Sequence, residues 1–172
     1  VAYAVTIIGF ALGSYYMYKL YRIPARPFWD HWQTGSAFYG TALSLGSLVF
    51  GLLLMPFGLS DTGVMQIASI ALLGLALESI GHIVHRQDVK KFGESQASYF
   101  EQVTTFGKTY QMRNTLVGVN MGIMVWLMME PSVLLFAVSF VSVLVSAYLG
   151  RILFYALVIP TTMPGGFFWK ND

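Results

Sequence analysis

The chain has 172 residues, of which 56% are hydrophobic and only 10% are charged, and its mean hydropathy is +0.62. Soluble domains carry about 25% charged residues, so the composition predicts an all-α integral membrane protein with no room for a separate soluble domain. The absence of cysteine excludes disulfides, iron–sulfur ligation and thiolate zinc sites within this chain.

Five apolar segments, separated by short turns and one polar stretch, predict five transmembrane helices of roughly 20 residues each. The first ends in tyrosines and basic residues suited to the membrane interface. No signal peptide is recognised before it, which leaves open that the chain belongs to a longer protein. The predicted spans cover about residues 1–18, 34–55, 64–84, 114–129 and 133–158.

The connections and the second span contain residues typical of interfaces and of helix packing. Pro24 and Pro27 forbid a continuous helix over 23–33, where two tryptophans favour an interfacial loop; a docking or ligand role for Arg26 and His31 is the alternative. Small residues at helical spacing in the second span predict close packing against another helix. They are Ser36, Gly40, Ser44, Ser47 and Gly51.

Half of the charged residues lie between Glu78 and Asn114, together with two of the three histidines. Glu78, His82 and His85 share one face of the third span, which should point into the bundle because a carboxylate facing lipid costs several kcal/mol. Apolar residues spaced by three, four or seven over 88–106 predict an amphipathic surface helix, bent at Gly93. Asn120, inside the fourth span, predicts an interhelical hydrogen bond.

All ten basic residues fall on the face that bears this polar stretch, whereas the opposite face receives Asp61 and Glu130. The positive-inside rule therefore predicts that the polar face is cytoplasmic. A docking platform for an acidic partner would also be basic, whichever compartment it faced.

The histidines raise the question of a redox or metal site. His82 and His85 project from one helix end, so they cannot bind a single haem iron from both sides, and no further metal ligands are evident on other helices. A quinone site fits better, because Glu78, His82 and His85 supply hydrogen bonds and proton carriers near the interface, with Arg151 and Tyr155 at similar depth. A structural glutamate–arginine pair and structural histidines are the simpler alternative.

Four segments of the chain resemble the membrane anchor subunits of dimethyl-sulfoxide-reductase-type molybdoenzymes, within the wider group of polysulfide-reductase-like quinone-reactive anchors. Together the segments touch four of the five predicted helices. They are YRIPARPFWDHWQTGSAFYGTALSLGSL, LESIGHIVHRQ, FGKTYQMRN and YLGRILFYALVIPTTMPGGFFW.

The resemblance implies a single transmembrane domain over residues 1–172, similar to the last five helices of an eight-helix anchor, with residues 86–112 as a docking segment. It also implies a quinone or quinol (menaquinone or ubiquinone), no haem, and partner subunits that carry the iron–sulfur clusters and the molybdopterin. The implied role is electron transport in anaerobic or sulfur-compound respiration. The predicted docking residues are Arg26, Trp29, His31, Arg86, Lys90, Lys91 and Arg113.

The charge bias adds a prediction about topology, since it favours the cytoplasmic arrangement of sulfite-oxidising relatives in a prokaryotic inner membrane. Two other functions remain open at this stage. One is a small-solute or ion transporter that uses Glu78 and Asn120, and the other is a purely structural assembly subunit.

Overall fold

The computed structural model describes residues 2–91 and 95–159, which form α-helices joined by short turns, with no strand among them. The all-α membrane bundle is thereby confirmed. A short 3-10 helix, Met55–Phe57, follows α2, and Gly58 ends it with the left-handed backbone that glycine adopts freely (φ +83°). The helices are α1 (Ala2–Tyr21), α2 (Gln33–Leu54), α3 (Asp61–Lys91), α4 (Gln96–Val103), α5 (Gly107–Met129) and α6 (Val133–Ala156).

Three of the described helical segments are long and apolar enough to cross a membrane: Gln33–Phe57, Asp61–Lys91 and Val133–Ala156. The other two predicted spans, α1 and α5, are not among them; α1 contains five tyrosines, and α5 opens on the polar sequence GKTYQMRN. The chain is a multi-pass membrane protein, and the number of five spans stays a prediction.

Two helices are longer than the sequence predicted. α3 continues to Lys91, so the first residues assigned to a separate surface helix belong to α3 instead. The surface helix itself is the eight-residue α4, with Ser98 and Gln102 buried beneath it. α5 begins at Gly107 rather than near Asn114, which extends it by two turns toward the polar face. The predicted bend at Gly93 and the end of the chain over 160–172 lie outside the described residues.

The antiparallel pair of α2 and α3 is packed backbone against backbone. A Cβ on Gly74 would lie 2.6 Å from the carbonyl oxygen of Gly40, and a Cβ on Gly40 would lie 2.7 Å from the carbonyl oxygen of Gly74. Further along, Gly81 faces Ser36, and Gly51 faces the ring of Phe136. The predicted packing role of the small residues in α2 is confirmed at these positions, because no larger side chain fits between the helices.

We expect Gly74→Ala to destabilise the bundle by about 1–3 kcal/mol, because the added methyl group meets backbone atoms that cannot move independently. The matched control is Gly46→Ala on α2, where a Cβ meets nothing within 4 Å. Unfolding of both variants in mixed micelles measures the difference. Equal stability of the two would show that α2 and α3 are not held this close.

The buried apolar side chains form two clusters. Between them lies a polar layer, which contains the buried side chains of Glu78 and Arg113. The larger one lies deep in the bundle and joins Leu48, Leu75, Met124 and Phe136 from α2, α3, α5 and α6. The smaller one is mainly aromatic and lies at the polar face, where Phe28, Trp29, Tyr110, Leu153, Phe154 and Leu157 pack together. α1 has no buried residue and contacts the described chain mainly through α2.

Candidate functional site

A buried ion pair between Glu78 of α3 and Arg113 of α5 occupies the polar layer. The Arg113 Nη2 donates to Glu78 Oε1, and the two side chains are only 2% and 7% exposed. Gly150 of α6 makes room for the pair, because a Cβ there would lie 3.3 Å from Arg113 Nε and 3.9 Å from Glu78 Oε1. Glu78 therefore points into the bundle, as its helical face predicted, and its charge is balanced by Arg113.

The ion pair lines a small cavity of about 30 Å³. Gln33 of α2 reaches this cavity, and its Nε2 lies 3.4 Å from His82 Nδ1. Gln102 of α4 closes the cavity from the polar face. A bound water needs about 10–15 Å³ of such space, whereas ligand pockets commonly measure about 300–1,000 Å³. The cavity therefore has room for water but is too small for a quinone ring.

The other histidines attach the loop before α2 to α3. His85 Nε2 donates to the carbonyl oxygen of Phe28 at 3.1 Å. His31 Nδ1 accepts from the Gln33 backbone N–H at 3.0 Å, so its Nε2 carries the proton that it donates to Asp88 at 3.1 Å. Both histidines have protein partners that fix their rings, which supports a structural role for them.

Trp29 and Arg22 anchor the same loop. The indole of Trp29 stacks on Phe154, and its Nε1 donates to the Phe154 carbonyl oxygen at 2.8 Å, near the end of α6. Arg22 Nε donates to Asp30 at 2.5 Å, and this hydrogen bond raises the pKa of the Arg22 guanidinium. These contacts hold the loop in a fixed position, where it covers the polar layer on the side of the polar face.

Arg151 and Tyr155, which the sequence predicts near a quinone, contact side chains other than Glu78. The guanidinium of Arg151 lies 4.2 Å from the ring centre of Phe38, and it lines the small cavity without an ion pair to Glu78. Tyr155 is exposed, and its hydroxyl lies 3.0 Å from that of Tyr21. The expected Arg151–Glu78 partnership is replaced by Arg113, because α5 enters the bundle earlier than predicted.

The predicted docking residues divide into exposed, half-buried and buried ones. Arg86, Lys90 and Lys91 are exposed at the end of α3. Although burial raises the pKa of the Tyr99 phenol, hydrogen bonds from Arg86 and Lys90 lower it below its usual value. Arg26 stacks on Trp29, with 4.7 Å between its guanidinium carbon and the ring centre. Trp29 and Arg113 do not lie on the exposed face, since both are buried by the contacts described above.

A larger groove of about 590 Å³ opens between α3 and α5. Its apolar wall includes Ile83, Val117 and Met121, and its mouth carries Arg86 and Lys90. His82 and Arg113 line both this groove and the small cavity. Ligand pockets commonly measure about 300–1,000 Å³, so the groove has room for a ring compound and the small cavity has not.

Asn120 is fully buried, and its amide has no hydrogen-bond partner among residues 2–91 and 95–159. The interhelical hydrogen bond expected for it is therefore absent from the described chain. Asn120 lines neither the groove nor the small cavity.

Sequence reasoning missed Gln33, Gln102 and the groove itself. The groove joins two helices that are about 35 residues apart at the ion pair, and no local pattern links them. Gln33 lay in the predicted loop, and Gln102 was one of several polar residues on the surface helix. The sequence signal for this site was the face of the third span that carries Glu78, which was predicted to point into the bundle.

Comparison with known families gives a match over nearly the whole described chain. The family model described as "DMSO reductase anchor subunit (DmsC)" matches residues 2–157. No curated protein and no solved structure matched the chain.

Proposed function

Because the match covers residues 2–157, the chain belongs to the family of DMSO reductase anchor subunits, and we propose that it exchanges electrons between membrane quinone and a docked iron–sulfur subunit. The family assignment confirms the resemblance seen in the sequence. The membrane-anchor role follows from the family, and the quinone site and the partners are the proposal.

The groove between α3 and α5 is the observation that supports a quinone site. A quinone needs an apolar channel for its ring and tail, and hydrogen-bonding groups for its two oxygens. In the groove, Ile83, Val117 and Met121 form an apolar wall for the ring and tail. His82 and Arg113 supply hydrogen-bonding groups for the two oxygens. We therefore propose the groove as the site, in place of the small cavity that holds Glu78, His85 and Arg151.

The residues at the inner end of the groove have distinct roles in this proposal. When bound, a quinone or quinol supplies the exchange of two electrons and two protons. His82 accepts or donates a hydrogen bond at the groove, and a neutral imidazole can also take up a proton there. Arg113 presents a fixed positive charge, held in place by Glu78. Lys90 and Arg86 lie at the mouth, between the groove and the docking face.

We propose the polar face as the platform for the iron–sulfur subunit, which in turn carries the molybdopterin subunit. Its exposed residues are Arg86, Lys90 and Lys91, with Arg26 half-buried on Trp29 and His31 partly exposed beside Asp88. The gathering at this end of the nine basic residues that the structure describes supports a cytoplasmic position in a prokaryotic inner membrane.

The site is tested by filling the groove. Gly118 lines the groove, and a Cβ there meets nothing within 4 Å, so Gly118→Phe starts a bulky side chain at the groove without a clash at its Cβ. We expect the apparent KM for quinol in the assembled complex to rise at least about tenfold, because the ring occupies the ligand space. Steady-state quinol-linked turnover measures it, with dye-linked activity of the soluble subunits as the assembly check.

Gly122→Phe is the matched control, one turn further along α5. A Cβ on Gly122 also meets nothing within 4 Å, but this residue does not line the groove. An unchanged KM in Gly118→Phe, or an equal rise in both variants, would contradict the proposed site.

A further inference from the structure

Three buried polar atoms around the small cavity have no hydrogen-bond partner within residues 2–91 and 95–159. They are Gln33 Oε1, Gln102 Oε1 and Arg113 Nε. All three residues line the same cavity of about 30 Å³. Leaving such atoms unpaired costs about 1–3 kcal/mol each, so the coincidence of three in one cavity points to a ligand.

The three atoms form a complementary set for one water molecule. Arg113 Nε–H is a donor, and the two amide oxygens are acceptors, whereas water accepts and donates two hydrogen bonds each way. Buried waters typically make about three hydrogen bonds to otherwise unpaired polar groups, and a site needs only about 10–15 Å³ to hold one. The volume of the cavity and the hydrogen-bonding character of its three unpaired atoms therefore both fit one bound water.

We propose that this cavity binds one ordered water, and that the water carries protons between His82 at the groove and Glu78 in the buried ion pair: turning away from one amide oxygen, it donates a proton to the Glu78 carboxylate and takes one from the protonated His82 imidazole. The second part rests on the proposed quinone site. His82 lines both spaces, and Glu78 lines the water cavity. Gln33 is a positioning residue here, since its Nε2 contacts His82 and its Oε1 is free to accept from the water.

The surface helix α4 takes part through Gln102, which is buried although most of α4 faces outward. Its side chain closes the cavity on the polar face. The water thus joins α4 of the docking platform to the Arg113–Glu78 pair of the membrane interior.

The site is tested in the assembled complex by a cryo-EM map at a resolution that shows waters. We expect a density peak within hydrogen-bond distance of Gln33, Gln102 and Arg113. The variant Gly150→Ala places a methyl group 3.3 Å from Arg113 Nε and should remove the peak. Gly122→Ala, whose Cβ meets nothing within 4 Å, should keep it. A wild-type cavity without density would overturn the water site.

The proton role is tested by turnover and by binding of a quinone analogue. We expect Gly150→Ala and Gln102→Leu to slow quinol-linked turnover about tenfold and to change its solvent deuterium isotope effect, while analogue affinity stays within twofold. Unchanged turnover and isotope effect in variants that have lost the water would overturn the proton role. Failure of the wild-type complex to bind the analogue would instead overturn the quinone site, and the density result would still decide the water site.

Discussion

Arg113→Met is expected to destabilise the bundle by about 3–5 kcal/mol, the usual cost of removing one member of a buried ion pair. The carboxylate of Glu78 would then be left 7% exposed between helices with no cation paired to it. Methionine keeps the apolar length of the side chain, so the loss comes mainly from the charge. Unfolding of the detergent-solubilised chain, followed by tryptophan fluorescence, measures the change.

A double-mutant cycle separates the ion pair from packing. We expect Glu78→Met alone to cost a similar amount, because it leaves the guanidinium buried and unpaired. The double variant Glu78→Met/Arg113→Met should recover most of the lost stability, since replacing a buried pair by apolar residues is often nearly neutral. Additive losses in the double variant would show that the two residues do not act as a pair.

The general architecture was readable from the sequence because it depends on local patterns. Apolar run lengths predicted the helices, and the spacing of small residues predicted the contact of α2 with another helix. The inward face of α3 followed from the cost of a carboxylate in lipid, and Glu78 is buried as expected.

The sequence did not predict Arg113 as the partner of Glu78, because this pairing depends on where α5 begins. Counting charges placed Arg113 on the exposed platform, just before a helix expected near Asn114. With α5 starting at Gly107, Arg113 lies two turns inside the helix, at the depth of Glu78. Trp29 shows the same effect: its type suggested an exposed docking residue, but its indole is buried and donates to the carbonyl oxygen of Phe154.

Neutralising the docking platform is expected to slow association with the iron–sulfur subunit about tenfold at low salt. The variant Arg26→Gln/Lys91→Gln removes one half-buried charge from the loop before α2 and one exposed charge from the end of α3, and neither residue lines the groove. Charge complementarity acts mainly on association rates and weakens as salt screens it. Stopped-flow or surface-binding kinetics across an ionic-strength series measure the effect.

The matched control, Asp61→Asn/Glu130→Gln, changes two charges at the opposite end of the bundle and should leave the association rate unchanged. The experiment also separates the two physical reasons for the basic face. If the charges serve docking, the slowed association will converge with the wild-type rate at high salt. If they serve only membrane topology, association will be unchanged at every salt concentration, because positive-inside selection acts on insertion and not on the folded surface. That result would remove the platform from the proposed function and leave the groove as its only support.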